Sequence, residues 1–205
     1  MLLIMQGPFY LDSIRGLGYR YETDSGLFFG QAFNWDPGRA DHDSDSRPGS
    51  DRLRGMDTVK GSLVTTAEIG YSFAPWLAVR AEGELALTER DRGNRYTLGF
   101  EGGLWSEEQN DVWYSLNAHF SDGHFAQSYF GVTPTQSAAS GFSHYTPDRG
   151  FYAYSASLNW EHRFTRHWSA LFSVNGTNLA GDAGKSPIVQ EKFNTFALGA
   201  INYTF

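Results

Sequence analysis

Cysteine is absent from the 205 residues, which excludes a disulfide scaffold and any zinc or redox site built on cysteine. Long apolar runs are also missing: no stretch approaches the roughly 20 apolar residues that a membrane-spanning helix needs, and the mean hydropathy is −0.43. Positive charge is scarce, with 16 Lys and Arg against 23 Asp and Glu and a net charge of −7. Because there is no basic stripe, nucleic acid is not expected as a partner.

A secretory leader is missing as well. Met1–Met5 is apolar, but five residues are too few for the apolar core of a signal peptide and no basic segment precedes them. An exported protein with this start would need further sequence upstream of Met1.

Aromatic residues make up 16 % of the chain, and 23 residues are glycine. The dominant pattern is alternation with a period of two, clearest over residues 59–73, where odd positions are apolar or small and even positions include Lys60 and Glu68. Such alternation predicts strands with one apolar and one polar face. It predicts about nine strands, near residues 9–22, 26–35, 59–73, 77–88, 96–104, 112–120, 152–164, 168–175 and 193–205.

The strands favour a membrane barrel over a soluble sandwich, which would show the same period. Several reach ten residues or more, and aromatic residues such as Trp160, Phe164 and Trp168 gather at strand ends, as in tilted strands that cross a bilayer. We predict an all-β fold, a single antiparallel transmembrane β-barrel domain over residues 1–205. Tyr152 is assigned to the apolar face. The charged or titratable residues predicted to point inward, into a plugged or narrow interior, are Lys60, Glu68, Arg80, Glu82, Glu84, Glu101, His119, Glu161 and Arg163.

The connections alternate between short and long, and short turns face the periplasm in bacterial barrels. With Phe205 at the periplasmic side, the first of nine strands would run inward from the outside. A barrel chain starts in the periplasm and has an even number of strands. We therefore expect one or three strands upstream of Met1 and a total of ten or twelve.

Four segments resemble the MipA/OmpV family of MltA-interacting proteins. Residues 127–147 contain Tyr129, Phe130, Gly131 and Val132, similar to the YFGV pattern of that family's long loop. Residues 179–189 contain Ser186 and Pro187 in a segment similar to its SPIV pattern. Residues 13–19 and the Y-x-F ending at 203–205 also match, in the right order along nearly the whole chain.

The resemblance implies a protein of the bacterial outer membrane that is not an enzyme. It implies a scaffold in envelope and murein maintenance, with a lytic transglycosylase and a murein synthase as partners. The family offers no catalytic residue, cofactor or metal site to carry over. A small-solute channel and a surface adhesin, in which the loops 36–56 and 123–150 would bind, stay open as alternatives.

The end of the chain predicts an assembly signal. Ile201, Tyr203 and Phe205 place apolar and aromatic side chains at alternate positions up to the terminus, the pattern that the barrel-assembly machinery reads. Outer-membrane lipid and lipopolysaccharide are the expected surroundings of such a barrel.

Four segments are given structural interpretations in preference to catalytic or metal-binding ones. Asp41–Asp45 alternates carboxylates like the start of a calcium loop but lacks the glycine and distal glutamate of an EF-hand, so a solvated loop is favoured over a divalent-ion site. His167 and Ser169 resemble an H-x-S lipid-hydrolase pattern, yet fall on the inward face near a periplasmic turn, which favours a structural role. Tyr129–Val132 is apolar and either folds back into the barrel mouth as a plug or belongs to a binding surface, and Thr135–Ser140 is compatible with a short helix.

Overall fold

A computed structural model of the chain describes residues 3–12 and 15–203. Within these ranges, eleven strands form one sheet in chain order, and every neighbouring pair is antiparallel. The strands are β1 (Leu3–Gln6), β2 (Phe9–Asp12), β3 (Gly16–Glu22), β4 (Leu27–Asp36), β5 (Ser62–Ala74), β6 (Leu77–Ala86), β7 (Arg95–Glu107), β8 (Asn110–Ser121), β9 (Gly150–Arg163), β10 (Trp168–Leu179) and β11 (Phe193–Tyr203).

The all-β prediction is confirmed, but the count of nine strands is too low. The predicted strand over residues 9–22 is two strands, since β2 and β3 pair with each other and Phe9 lies opposite Tyr19. Gly16 starts β3 with a φ of +84°, and a Cβ there would come within 2.1 Å of the Phe33 carbonyl oxygen. The additional strand β1 pairs with β2 across a turn at Gly7, whose φ is +60°.

The two faces of the sheet carry opposite chemistry, as the alternation predicts. On β7, Leu98 and Phe100 are 54 % and 52 % exposed on the outer face, whereas the Glu101 side chain points to the concave face and is 27 % exposed. The same outward row of exposed large apolar side chains continues on the other strands, for example at Phe33, Ile69, Leu116, Leu158, Phe172 and Ile201.

Tyr152 is an exception, and its predicted place on the outer face is wrong. The register of β8 and β9 shifts so that His119 lies opposite Ala153 and Phe120 opposite Phe151. Tyr152 is therefore the extra residue of a β-bulge, and a bulge re-aims a side chain. Its ring lies 6.0 Å from the His119 ring on the concave side.

The sheet is strongly curled. Arg20 on β3 lies 3.4 Å from Glu101 on β7, although strands four positions apart in a flat sheet are separated by roughly 19 Å. Side chains from β2 to β9 line one common cavity of about 950 Å³. The curled, two-faced, up-and-down sheet is consistent with a β-barrel. No helix within the described ranges is long and apolar enough to cross a membrane.

Alternate connections lie at opposite ends of the sheet because neighbouring strands are antiparallel. We call the end with the connections 7–8, 23–26, 75–76, 108–109 and 164–167 the short-turn end, and the end with 37–61, 87–94, 122–149 and 180–192 the long-loop end. The long loops contain the helices α1 (Gly123–Phe130) and α2 (Pro134–Ser140) and the single-turn 3-10 helices Asp51–Leu53, Arg90–Arg92 and Ala183–Lys185.

Helix α2 confirms the short helix predicted over Thr135–Ser140, and the Thr133 side chain caps it together with Gln136 in a capping box. The sequence pattern does not predict helix α1. Its N-cap is Asp122, whose carboxylate accepts from the Phe125 N–H.

Candidate functional site

The concave face carries a cluster of five charged side chains at its centre, which we call the central cluster: Arg20, Glu68, Arg80, Glu82 and Glu101. Arg80 lies 2.6 Å from Glu82, 3.5 Å from Glu101 and 3.9 Å from Glu68. Arg20 lies 3.5 Å from Glu68 and 3.4 Å from Glu101, with its guanidinium 4.1 Å above the Phe28 ring. These contacts agree with the inward orientation that the sequence predicts for four of the five residues: Glu68, Arg80, Glu82 and Glu101.

A second ion-pair group lies nearer the long-loop end. Arg95 on β7 pairs with Glu84 on β6 at 2.8 Å and approaches Asp36 at the end of β4 at 3.6 Å. His119, between Thr97 and Ser155, makes hydrogen-bond contacts of 3.2 and 2.9 Å. Arg20, Arg95 and Asp36 are missing from the predicted inward set. Alternation with the exposed Leu17 and Tyr21 is the signal that identifies Arg20.

Lys60 was also predicted to point inward, and that prediction is wrong. Strand β5 begins only at Ser62, so Lys60 belongs to the long loop before it. Its side chain is 75 % exposed and its ammonium lies 3.9 Å from Glu89. The last two residues of the predicted inward set, Glu161 and Arg163, lie towards the short-turn end. Glu161 accepts from the Ser169 hydroxyl, and Arg163 pairs with Asp111.

Arg92 anchors the long-loop end. Its side chain is only 4 % exposed and pairs with Asp36 at 2.7 Å. It also donates to the Tyr129 hydroxyl at 2.5 Å and to the carbonyls of Asp36 and Lys60. One buried guanidinium therefore ties the 3-10 turn Arg90–Arg92 to the end of β4, the long loop before β5 and helix α1.

Arg39 makes a second tie between the loops. Its guanidinium donates to the backbone carbonyls of Tyr129 at 2.7 Å and Ser128 at 3.4 Å, at the C-terminal end of α1 where helix carbonyls need donors. Burial lowers the pKa of Arg39. Burial likewise raises the pKa of the Tyr129 hydroxyl, so both groups lie in surroundings from which water is largely removed.

The loops 37–61, 87–94, 122–149 and 180–192 pack on one another at the long-loop end, and we call them the long-loop cap. The family-like segment Tyr129–Val132 lies inside this cap. Tyr129 stacks on Phe125 at 4.4 Å, and Phe130 packs 5.7 Å from the inward ring of Tyr152. Val132 is fully buried in a small apolar cluster with Met56 and Ile188. Gly131 has little room for a side chain, because a Cβ there would come within 2.6 Å of the Gln127 carbonyl oxygen.

The second family-like segment meets the first. The Ser186 hydroxyl is buried and donates to the Phe130 carbonyl at 2.5 Å, and Pro187 follows it half-buried next to Ile188. Tyr145 pairs by two backbone hydrogen bonds with Val132, and its hydroxyl donates to the Asp182 carbonyl at 2.8 Å. The segments that carry the family resemblance are thus 56 residues apart in sequence and in direct contact.

The Asp36–Asp51 loop uses its carboxylates internally. Asp43 and Asp51 each accept from the other's backbone N–H, at 3.1 and 3.2 Å. Asp41 accepts from Thr58 and contacts His42 at 3.0 Å. In the part of the chain that the structure describes, no group of three or more His, Asp or Glu side chains is arranged to hold a metal ion.

His167 and Ser169 do not share the inward face as predicted. His167 is exposed in the turn after β9 and stacks 5.8 Å from the Tyr203 ring. Ser169 is buried and donates to Glu161 at 2.6 Å. A hydroxyl nucleophile needs a base within hydrogen-bond reach, and here the Ser169 hydroxyl is directed at a carboxylate on the neighbouring strand.

The predicted assembly signal is only partly within the described residues. Ile201 and Tyr203 lie on the outer face of β11, 58 % and 42 % exposed. Trp168 packs edge-on against Tyr203 at 4.9 Å. Phe205 and the residues Ser13 and Ile14 of the first family-like segment lie outside the described residues.

The chain was compared with known protein families and with curated proteins. The model of the family described as MltA-interacting protein MipA matches residues 2–205. The comparison with curated proteins finds no match.

Proposed function

Because the chain belongs to the MipA family, we propose that it is a non-enzymatic scaffold of the bacterial outer membrane that takes part in envelope and murein maintenance. The family match over essentially the whole chain carries this proposal, since the family is named for an interaction with the lytic transglycosylase MltA. A murein synthase is a second partner of the same kind. The family name supports a role in the cell envelope.

The outer face supports a place in the membrane. Exposed large apolar side chains cover it, for example Leu98, Leu158 and Phe172, and a soluble monomer rarely leaves so wide an apolar surface uncovered. Aromatic rings gather beside the short turns, as in the girdles at a membrane interface: Phe73 and Trp76 are 63 % and 61 % exposed. Outer-membrane lipid and lipopolysaccharide are the proposed surroundings of this face.

Strand β11 supports the proposed assembly route. Its outer row ends in Ile201 and Tyr203, and the sequence continues to Phe205. We assign these three residues to recognition by the barrel-assembly machinery.

The short-turn end is the proposed docking surface. Short turns face the periplasm in bacterial barrels, where murein enzymes act. Asp24 on one turn, and Glu107 and Glu108 at the end of β7 and on the turn after it, are exposed. They outnumber the exposed Arg166 on a third turn, so the rim of this end is acidic. A basic face of the partner complements that rim, and such complementarity mainly sets the association rate and the specificity.

Capture of a purified lytic transglycosylase of the MltA class by the full chain in detergent micelles tests the proposal. We expect binding by the wild type and about a tenfold loss, or about 1.4 kcal/mol, in the double variant Glu107→Lys/Glu108→Lys. The matched control reverses two exposed charges at the long-loop end, Asp45→Lys/Glu191→Lys, and is expected to bind normally.

Two results contradict parts of this proposal. No capture by the wild type contradicts the scaffold role itself. An equal loss in both double variants shows a response to net charge alone and contradicts docking at the short-turn end.

A further inference from the structure

We propose that the cavity inside the curled sheet is a binding site for a small zwitterionic solute, one that carries a carboxylate and an ammonium group and enters from the short-turn end. The cavity has a volume of about 950 Å³, at the upper end of the range for small-molecule sites. The inference goes beyond the scaffold role and does not depend on capture of a partner.

The charges of the central cluster determine the kind of ligand. The cluster contains two guanidiniums and three carboxylates, so its summed charge is one negative charge. All five side chains remain partly accessible, between 16 % and 33 % exposed. An ammonium group is the ligand charge that balances the excess carboxylate.

Arg20 supplies the complementary half of the site. Its contacts to Glu68 and Glu101 are 3.5 and 3.4 Å long, whereas strong charge-assisted hydrogen bonds measure about 2.7–2.9 Å. A guanidinium has five N–H donors, and these two long contacts leave donors for a ligand carboxylate. Arg80 differs, since its 2.6 Å contact with Glu82 already holds it in place.

Neutral polar and aromatic side chains complete the wall. Gln31 is fixed by a 3.2 Å hydrogen bond to Thr65, and Asn34, Asn159 and the rings of Tyr10 and Trp113 also line the cavity. A mostly polar wall with a few aromatic rings suits a hydrophilic ligand with an apolar portion and disfavours a lipid tail.

The position of the cavity determines the direction of entry. Its wall extends to Glu22, Pro75 and Gly103 at or beside the short turns. At the opposite end, the ion pair of Arg95 with Glu84 and the packed rings of α1 and Tyr152 lie over the concave space. The entrance for the solute is therefore assigned to the short-turn end.

Calorimetric titration of the full chain in detergent micelles tests the proposal with three forms of the tripeptide Ala-Ala-Ala. The free form carries both charges, the N-acetylated form only the carboxylate, and the C-amidated form only the ammonium. We expect the free form to bind at least tenfold more tightly than either blocked form. Equal binding of all three forms, or binding of none, overturns the proposal.

Arg20→Gln separates the two halves of the site. It is expected to weaken the free and N-acetylated forms about tenfold and not to weaken the C-amidated form, because Glu68 and Glu101 lose a cationic partner. Arg20→Lys is expected to restore part of the loss. Lys185→Gln, at an exposed position in the long-loop cap, is the control and is expected to bind as the wild type. Equal weakening of all three forms by Arg20→Gln, with the circular dichroism spectrum of the wild type retained, contradicts the assigned role of Arg20.

Discussion

The long-loop end and the short-turn end of the sheet differ in what their contacts join. At the long-loop end, hydrogen bonds join separate long loops, Arg39 to Tyr129 and Gln136 to Met56, which are 90 and 80 residues apart. At the short-turn end, Thr23 bonds Ser25 and Leu27 within its own turn, Ser106 bonds Asp111 across one hairpin, and the longer-range pair of Arg163 with Asp111 joins two neighbouring strands.

The difference teaches which end is available to other molecules. Long-range contacts at the long-loop end satisfy the loop backbone internally and bury the family-like segments, so that end is closed by its own chain. At the short-turn end, contacts within the turns and between strand ends leave the acidic turns and the cavity accessible. Stability experiments on the long-loop end test this comparison directly.

The largest effect is expected from Arg92→Ala. It removes one partner of a buried ion pair with Asp36 and also the donor to Tyr129, and breaking a buried pair costs about 3–5 kcal/mol. Because Arg95 remains 3.6 Å from Asp36, we expect a loss of about 3 kcal/mol. Denaturant unfolding in detergent measures it, and new protease cleavage within residues 122–149 reports the opened cap.

Arg90→Ala is the matched control for Arg92→Ala. Arg90 lies on the same 3-10 turn but is exposed, and its guanidinium contacts the Leu87 carbonyl at 3.3 Å. The stability of Arg90→Ala is expected to match that of the wild type.

Conductance in planar bilayers tests the same end. The wild type is expected to show no steady conductance and Arg92→Ala to show current steps. Steady ohmic steps from the wild type favour the small-solute channel and contradict a closed long-loop end. Unchanged stability of Arg92→Ala also contradicts a closed long-loop end.

A smaller effect is expected from Gly93→Ala, where the 87–94 connection approaches α1. Gly93 has a φ of +84°, and a Cβ there would lie 1.9 Å from the Phe125 backbone nitrogen. Strain of this kind destabilises, and we expect a loss of about 2 kcal/mol, within the usual range for single substitutions, in the same unfolding assay.

Gly123→Ala is the control, since a Cβ at that position meets nothing within 4 Å and alanine favours a helix. We expect it to be neutral or slightly stabilising. If both glycine variants lose the same stability, the close contact between α1 and the 87–94 connection is not what holds this end together.

Sequence reasoning finds the strands but not the cap. Alternation is a local property, so strands such as β7 and β10 are predicted to within a few residues. The tie between Arg92, Asp36 and Tyr129 joins residues 37 and 56 positions apart in sequence, and no local pattern marks such partners. Tyr152 is misassigned for a related reason, since one inserted residue in a bulge inverts the face without changing the composition.

The central cluster is predictable in part, more than the contacts of Arg92 and less than the strands. Each of its members sits at an inward position of an alternating strand, so its orientation is predictable. The contact between Arg20 and Glu101 depends on the curl of the sheet across five strands, which no single strand encodes. The sequence therefore predicts the inward orientation of four of the five cluster members, with Arg20 missed, and it does not predict which of these charges meet.

The smallest expected effect is a pH-dependent loosening at the rim of the long-loop end. Asp182 accepts from the Lys185 ammonium at 3.1 Å and from the Asp148 N–H at 3.2 Å. These hydrogen bonds, the one from Lys185 first, lower the pKa of the Asp182 carboxyl. A lowered carboxyl pKa means that the ionised form is the one stabilised, so the contribution is present at neutral pH and is lost as the pH falls through the lowered value.

The backbone amide of Asp148 reports this titration by nuclear magnetic resonance in detergent micelles. We expect its chemical shift to change with a midpoint below the ordinary value of an aspartate and the change to disappear in Asp182→Asn. Because Asp182 is exposed, only a small change in global stability should accompany it. A midpoint at or above the ordinary value contradicts the two hydrogen bonds. The closed character of the long-loop end would then depend on the buried ties of Arg92 and Arg39 alone.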